Sequence, residues 1–371
     1  MSMNLPSPKS DFIGLDDKVH LATGGEPPLL VTHRNAFETF ANDKASGMKG
    51  YSRHWDVVDE VREQIAFLFG LTREDIGLIG NTSEGIIKVL ASINWHERDN
   101  VVISELDYAS GRYAFGRLTS FGVDVRVVPS TNFRIDCKQI LNFCDNRTRA
   151  VYISQVNALT GQYIDITPLS INFKDKRTIL LLDASHAFGV APVQASLADF
   201  TVSACYKFAL GIHEGIFAWN QARQPEFEPL GVGWAAAIPG EAPQEFLLKK
   251  GAQRVEYGNA GHLGAYLLRE SLLYLEKYGA ESVCKHARAA VLRLTEGFSA
   301  NKLDVMTPMD AGEFAGNAAF ACSNPKEIVT KAEADKVYIW GDNNRIRVSA
   351  HLFTTHADID YFLERLPTYL L

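Results

Sequence analysis

Two residues of this chain place an amine and an acid at matching points of the sequence. Lys207 stands in Ala-Asp-Phe-Thr-Val-Ser-Ala-Cys-Tyr-Lys-Phe (198–208), just after an apolar run that reads as a buried strand. Asp183 closes a second apolar run, Thr-Ile-Leu-Leu-Leu (178–182), and lies 24 residues before the lysine. A lysine amine can condense with a carbonyl to give a Schiff base. A carboxylate can pair with a pyridine nitrogen and keep it protonated, so that the ring accepts electrons. Together they are the parts needed to hold a pyridoxal phosphate ring. Taken singly, each has a plainer use. An Asp after a strand often caps the next helix, and a lone Lys is usually a solvated charge.

A third group of residues suits a phosphate. Asn81-Thr82-Ser83-Glu84-Gly85 stands just before an apolar stretch, Ile86 to Ile93, that reads as a helix. Backbone N–H groups at a helix start, joined by hydroxyls, form an anion site. The same residues would serve equally as a capping box with Asn81 or Thr82 as N-cap.

The elements that must position these groups alternate along the chain. Val57, Val58, Val61, Ile65 and Leu68 recur at helical spacing, and Gly70 suits the helix end. Val-Val-Ile-Ser (101–104), Val-Arg-Val-Val (125–128), Ala-Val-Tyr-Ile-Ser (150–154), 178–182 and Thr-Val-Ser-Ala-Cys (201–205) read as strands. Helical segments between them predict a mostly parallel sheet covered on both faces. Gly-Ile-Phe-Ala-Trp (215–219) follows Lys207 too closely for a helical crossover and is expected to run antiparallel. A long helix is expected over 262–278. From about Ala280 the pattern suggests a small α/β domain ending in a helix near 357–366. Residues 1–50, rich in Pro, Gly and polar side chains, read as irregular. In open α/β sheets ligands bind beyond the carboxyl ends of the strands, where Tyr108, Gln155, Asn157, Asp183 and Lys207 all fall.

Bulk properties narrow the classes. A chain of 371 residues can form one large domain plus a smaller one. A net charge of −7 leaves no basic surplus to replace counterions, which argues against nonspecific nucleic-acid binding. Met-Ser-Met-Asn-Leu-Pro-Ser-Pro at the N-terminus has neither the basic nor the apolar part of a secretory signal. No apolar run approaches membrane-spanning length. The five cysteines (137, 144, 205, 284 and 322) are odd in number and form no CxxC pair. That fits reduced thiols in a cytoplasmic protein and gives no metal signature. HExxH and GxGxxG are absent too.

Asp183-Ala-Ser-His186-Ala-Phe-Gly189 and the Tyr206-Lys207 pair resemble the two central blocks of class V aminotransferases. This family of pyridoxal-phosphate enzymes includes cysteine desulfurases, kynureninase and isopenicillin N epimerase. The resemblance runs from about Gly50 to the C-terminus. It implies an α/β fold of the fold-type I PLP-dependent transferases, a large domain with a mostly parallel mixed sheet plus a small C-terminal α/β domain. The expected division is an N-terminal segment (1–50) packed with the small domain at the site entrance, a large cofactor domain (51–280) and the small domain (281–371).

The resemblance also implies roles. Lys207 carries pyridoxal 5'-phosphate, Asp183 pairs with its ring nitrogen, and His186 contacts its phenolic oxygen side. Thr82 and Ser83 fall on the phosphate-anchoring positions. Tyr108 is placed to stack on the ring, where desulfurases use His. Tyr206 can donate its hydroxyl to the phosphate, and Ser203 is a further candidate whose direction stays open. Arg254-Val-Glu-Tyr-Gly-Asn259 resembles an Arg-x-Glu-x-Gly-Thr block whose last position reaches the phosphate of the neighbouring subunit, which implies a homodimer. Arg347, in Arg345-Ile-Arg347-Val-Ser349, falls on the arginine that forks the substrate's α-carboxylate, the job of a planar donor. A structural salt bridge would be its plainer use. Gln155 and Asn157, in Ser-Gln-Val-Asn-Ala-Leu-Thr-Gly-Gln (154–162), are carried as substrate contacts. The substrate is then an amino acid or a similar acid, bound as an external imine.

The lysine block departs from the desulfurase pattern Ser-x-His-Lys, having Ala204 and Tyr206 at those positions. A persulfide-forming desulfurase also needs a thiolate on a C-terminal loop. Cys322, the one cysteine after 284, reads as a strand residue, and Cys205 as a buried one. Transamination, C–S elimination, kynureninase-like hydrolysis and epimerisation stay open. So does a reading without catalysis, a binding or regulatory relative. The intact set of Asp183, Lys207 and Arg347 argues against that last reading.

Overall fold

Seven apolar runs form the central sheet of a computed structural model that describes residues 5–174, 177–310 and 312–371. The first four residues of the N-terminal stretch read above lie outside them. The strands are β1 (Ile76–Ile79), β2 (Asn100–Ser104), β3 (Asp124–Val128), β4 (Thr148–Ser154), β5 (Ile179–Asp183), β6 (Phe200–Ala204) and β7 (Gly215–Trp219). Their order is β1-β7-β6-β5-β4-β2-β3. β7 runs antiparallel to both neighbours, β1 and β6, as its short connection required. All other pairs are parallel. Every residue of β1, β2, β5, β6 and β7 is buried, the mark of strands covered on both faces. Alternation sends Leu181 to one core with Val101, Ile103 and Val202, and Leu180 and Leu182 to the other with Val151 and Ile153. Each such side chain contributes about 1.5–3 kcal/mol when fully buried.

The N-terminal fifty residues are not irregular throughout. Helix α1 spans His33–Ala45, and α2 spans Gly47–Phe69. The reason α1 escaped notice is physical. Only His33 and Ala36 of its residues are buried, so it carries no apolar stripe. Its stability comes from packing on α2 and on a later helix rather than from its own pattern. α2 ends at Gly70, which takes the left-handed conformation (φ 66°) expected of a helix-closing glycine. α3 (Thr82–Ala91) and α4 (Ala109–Gly116) follow β1 and β2. α5 (Cys137–Asn142) and α6 (Thr167–Phe173) lie in the next crossovers. α7 (His262–Tyr278) then packs on α1 and α2.

α8 (Ala280–Ala300) leads to a three-stranded antiparallel sheet of β8 (Asn317–Ala321), β9 (Trp340–Asp342) and β10 (Arg345–Ser349), in the order β8-β10-β9. α9 (Pro325–Ala334) and α10 (His356–Leu370) cover it with α8 around Phe298, Phe320, Ile346, Val348 and Phe362. The N-terminal segment lies against this unit. Val19–His20 pairs in parallel with Val337–Tyr338, and Ala22 bridges Ser349. Among the described residues no helix is long and apolar enough to cross a membrane.

Two residues of the Arg254–Asn259 block act as internal fasteners. Glu256 receives both a fork from Arg62 Nη2 (2.6 and 2.7 Å) and the N–H of Leu78 (2.9 Å), so it joins α2 to edge strand β1. Arg254 lies over the Trp219 ring at 4.9 Å and donates to the Phe227 carbonyl. Arg62 and Glu256 are both almost fully buried; Arg62 also holds Asp59 at 2.6 Å, so removing the glutamate leaves it one carboxylate, whereas removing the arginine leaves Glu256 buried without a cation. Arg62→Ala, which strands the Glu256 carboxylate, is expected to cost about 3–5 kcal/mol of stability in urea unfolding. A loss under about 1 kcal/mol would show that the pair is not a fastener.

Candidate active site

The sheet changes direction between β2 and β4. From β2 the chain moves outward to β3, then returns past β2 and builds β4 to β7 on the other side. Loops leaving β2 and β4 therefore diverge and open a crevice at their carboxyl ends. A cavity of about 250 Å³ lies there, walled by Tyr108 after β2, Ser154 and Val156 from β4, Asp183 and His186 from β5, and Lys207 after β6. The start of α3, Gly80 to Ser83, closes one end.

Lys207 is 7% exposed, and its Nζ stands 3.1 Å from His186 Nε2. Burial pushes its pKa down to about 8, against the opposing pull of Asp183 and with the help of Arg347. An appreciable fraction is then the nucleophilic free amine near neutral pH. Burial holds His186 well below its usual range, and Lys207 and Arg347 add to this, so the ring is neutral. The Tyr108 ring, about half exposed, has its centroid 5.3 Å from Lys207 Nζ.

Asp183 is gripped on both oxygens. Oδ1 accepts the Ser185 N–H at 2.8 Å, and Oδ2 accepts the Tyr152 hydroxyl at 2.7 Å. Tyr152 was hidden in the apolar run of β4. The available signal was that a buried tyrosine must find a partner for its hydroxyl. Burial and the neighbouring carboxylates raise its pKa well above the usual value, so it remains a donor. Gly111 makes room for it, since a Cβ there would lie 2.2 Å from the Tyr152 ring.

At the α3 end, the cap is formed and the helix start lines the cavity. Asn81 Oδ1 accepts the Glu84 N–H at 2.9 Å as N-cap, and Glu84 returns a bond to the Gly80 N–H at 2.8 Å. That leaves the first N–H groups of the helix and two hydroxyls facing the cavity. Ser83 donates to Ser110 at 2.8 Å, and Thr82 Oγ1 lies 3.3 Å from Ser185 Oγ. Ser110 and Ser185 were not singled out by sequence, nor were His213 and Glu214. The Tyr206 ring stacks on His213 at 4.1 Å. Glu214 presses against Gly261 and Gly264 at the start of α7, and burial raises its pKa to about 8.

Three expected residues, Gln155, Asn157 and Ser203, are kept out of the cavity by strand parity. Beyond β4, Ser154, Val156 and Ala158 face the cavity, so Gln155 and Asn157 face away. Gln155 donates to the Pro192 carbonyl and Tyr163, and Asn157 builds its own turn with Leu106, Leu159 and Thr160. Both amides are thus engaged with the protein's own backbone and side chains, away from the cavity. Ser203 is likewise turned away, with its hydroxyl on the Ala204 carbonyl, while Ala204 itself lines the cavity. Ser185, which accepts the Ala204 N–H at 3.1 Å, supplies the hydroxyl at this wall. Asn259 lines a separate surface pocket with Tyr51, His54 and His262, and accepts a bond from Tyr51.

Arg347, on β10, stands at the edge of the site, outside the cavity lining itself. Nη1 donates to the carbonyl of Ala158, a cavity residue, at 3.0 Å, and the guanidinium lies 4.8 Å over the Trp340 ring. It is 5% exposed, its Nε has no partner, and burial lowers its pKa to about 10. No carboxylate pairs with it among the described residues, so the salt-bridge alternative falls away. None of the five cysteines lines the cavity.

Comparison with known proteins bears on the family and the fold. A probable cysteine desulfurase of Methanothermobacter thermautotrophicus is 24% identical over 96% of both chains. The apo cysteine desulfurase of Thermococcus onnurineus superposes with a TM-score of 0.91 at 18% identity, covering 100% of this chain and 99% of that one. A cystine C–S lyase in complex with its product cysteine persulfide superposes with a TM-score of 0.85 at 21% identity, covering 96% and 98%. Residues 22–362 match the aminotransferase class-V family, and the chain belongs to it.

Proposed function

We propose that the chain acts on an amino acid or amino-acid-like acid at its α-carbon, in the manner of a class V aminotransferase. The observation that carries the reading is Arg347, a buried guanidinium with no carboxylate partner among the described residues, whose charge lowers the pKa of the buried Lys207. A buried unpaired cation is costly unless an anion arrives to offset it. A substrate α-carboxylate is such an anion.

The cofactor of this enzyme family is pyridoxal 5'-phosphate, and the residues present fit it. Lys207 offers the amine, Asp183 a carboxylate with its lone pairs oriented by Tyr152 and Ser185, and α3 an anion cradle with Thr82 and Ser83. When bound, the cofactor supplies an electron sink for charge at the α-carbon. Lys207, as a free amine, would be the group placed to take a proton from the substrate's α-carbon. His186, neutral and fixed, orients groups at the lysine end. Tyr108 covers one side of the cavity. We place the unit boundary at residue 280, so that Arg347 is brought to Lys207 from the C-terminal unit.

A second reading is favoured by a specific likeness, the cystine C–S lyase among similar structures. Elimination of sulfur by that route needs no enzyme thiol, and no cysteine lines this cavity. Persulfide formation on the protein is disfavoured for the same reason. Turnover of an amino acid that depends on an added α-keto acid supports transamination. Acceptor-independent release of ammonia or sulfide supports the lyase.

Borohydride reduction of the holoenzyme followed by peptide mapping is expected to leave the cofactor's mass on the peptide containing Lys207. A label on another lysine would sink the assignment. Arg347→Ala is expected to raise KM for an amino-acid substrate about 10- to 100-fold, the worth of a charged hydrogen bond of ~1.5–3 kcal/mol, while the cofactor stays bound. Loss of cofactor binding instead would make the arginine phosphate-facing or structural.

The reading also takes a second copy as partner. Asn259 opens on a surface pocket, and Trp234, Ile238, Phe246 and Leu247 expose apolar surface on one hairpin region. Sedimentation at micromolar concentration should give twice the chain mass of 41.1 kDa. An active monomer would remove the dimer.

A further inference from the structure

We propose that Asn317 is a positioning residue that fixes His186 in the tautomer with its Nε2–H aimed at Lys207. The inference rests on the reading of Lys207 and His186 as site residues. It adds a residue from the C-terminal sheet and a direction to the hydrogen bonds.

His186 has one partner on each ring nitrogen. Asn317 Nδ2 lies 3.0 Å from Nδ1, and Lys207 Nζ lies 3.1 Å from Nε2. A neutral imidazole has one donor and one acceptor, so whatever fixes one nitrogen decides the other. Asn317 is itself held. Its Oδ1 accepts the Ser349 hydroxyl at 2.8 Å, which leaves Nδ2–H to face the histidine. Nδ1 is then the acceptor, and the ring proton sits on Nε2. The bonds run in one direction, from Ser349 through Asn317 and His186 to the lysine nitrogen.

The backbone around this relay leaves it little freedom. Asn317 and Ser349 are direct cross-strand partners at the ends of β8 and β10. Two glycines close on them. A Cβ at Gly24 would lie 2.7 Å from Ser349 Oγ, 2.8 Å from Asn317 Oδ1 and 3.3 Å from His186 Cε1. A Cβ at Gly161, where φ is +79°, would lie 2.2 Å from the Asn317 carbonyl oxygen. The N-terminal segment thus closes on the Asn317 side-chain amide, and the loop after β4 on its backbone. His186, Asn317 and Ser349 are all buried, so water does not compete for these bonds. The consequence at Lys207 is a donor rather than an acceptor. It favours a lone pair at that place, such as that of the free amine, over an ammonium.

The test reads the tautomer directly. Holoenzyme carrying 15N-histidine is examined by long-range proton–nitrogen correlation spectroscopy, and His186 among the ten histidines is assigned by its loss in His186→Gln. In the wild type, Nε2 should show the shift of a protonated nitrogen and Nδ1 that of an unprotonated one. Asn317→Asp should reverse the two, because a carboxylate can only accept from Nδ1. Gly24→Ala should broaden or mix them by forcing Ser349 and Asn317 apart. A wild-type ring protonated on Nδ1, on both nitrogens, or averaging between tautomers overturns the proposal, as does an Asn317→Asp ring that keeps Nε2–H. The wild-type spectrum decides even if a variant fails to fold. The borohydride label on Lys207 tests the site itself, so the relay and the site can fail separately.

Discussion

Two cationic groups, Lys207 and Arg347, are buried together, and Asp183 is the acid that acts on the lysine. The rest of the site follows from that imbalance. Each cation is pushed toward its neutral form by lost hydration, and the lysine further by the arginine. The arginine, still charged at pKa about 10, cannot yield, so the lysine does, at about 8. A cavity with this excess of positive charge, with a helix start at its other end, suits ligands bearing two separate anions. A phosphate at α3 and a carboxylate at β10 would complete the balance. Acid–base chemistry follows from the same set, because the group that yields its proton most readily is the lysine amine.

How much of this the sequence disclosed depends on strand parity. Lys207 and Asp183 were legible because each follows an unbroken apolar run, so its place beyond a strand end needs no knowledge of which way it points. Thr82, Ser83 and His186 were legible on similar grounds, being fixed by a helix start and by a spacing of three from Asp183. Gln155, Asn157 and Ser203 required the phase of the pleat, and a shift of one residue reverses it. Val156, Ala158 and Ala204 line the cavity in their stead, and apolar side chains there give no chemical signal. Tyr152 had the opposite problem. Its residue type suits a strand, so its role as donor to Asp183 was masked by its propensity.

Conserving space was as important as placing groups. Gly111 admits the Tyr152 ring, and Gly24 admits Ser349 and Asn317. Both are glycines with ordinary φ values, so the absence of Cβ matters there and not backbone freedom. The same holds at Gly261 and Gly264, where the Glu214 carboxyl lies against the start of α7. From sequence these positions look like ordinary helix starts and loops. Only the packing reveals why a methyl group would not fit. Helix α1 was missed for a related reason, since its structure comes from what it packs on and not from its own apolar stripe.

The C-terminal sheet shows how one pleat can serve two ends of a site. On β10, Ile346 and Val348 enter the core with Phe320 and Phe362. The alternate residues Arg345, Arg347 and Ser349 therefore share the opposite side. Across the ladder, Arg347 faces Ala319 on β8 and Trp340 on β9, while Ser349 faces Asn317. The small alanine leaves space for the guanidinium, the tryptophan ring supports it, and the asparagine continues from the serine hydroxyl to His186. Register alone sets this order. A slip of one residue would bury the arginine among Phe298, Phe320 and Phe362 and turn Ile346 to the site, so the apolar core of this unit is what aims its polar groups at Lys207.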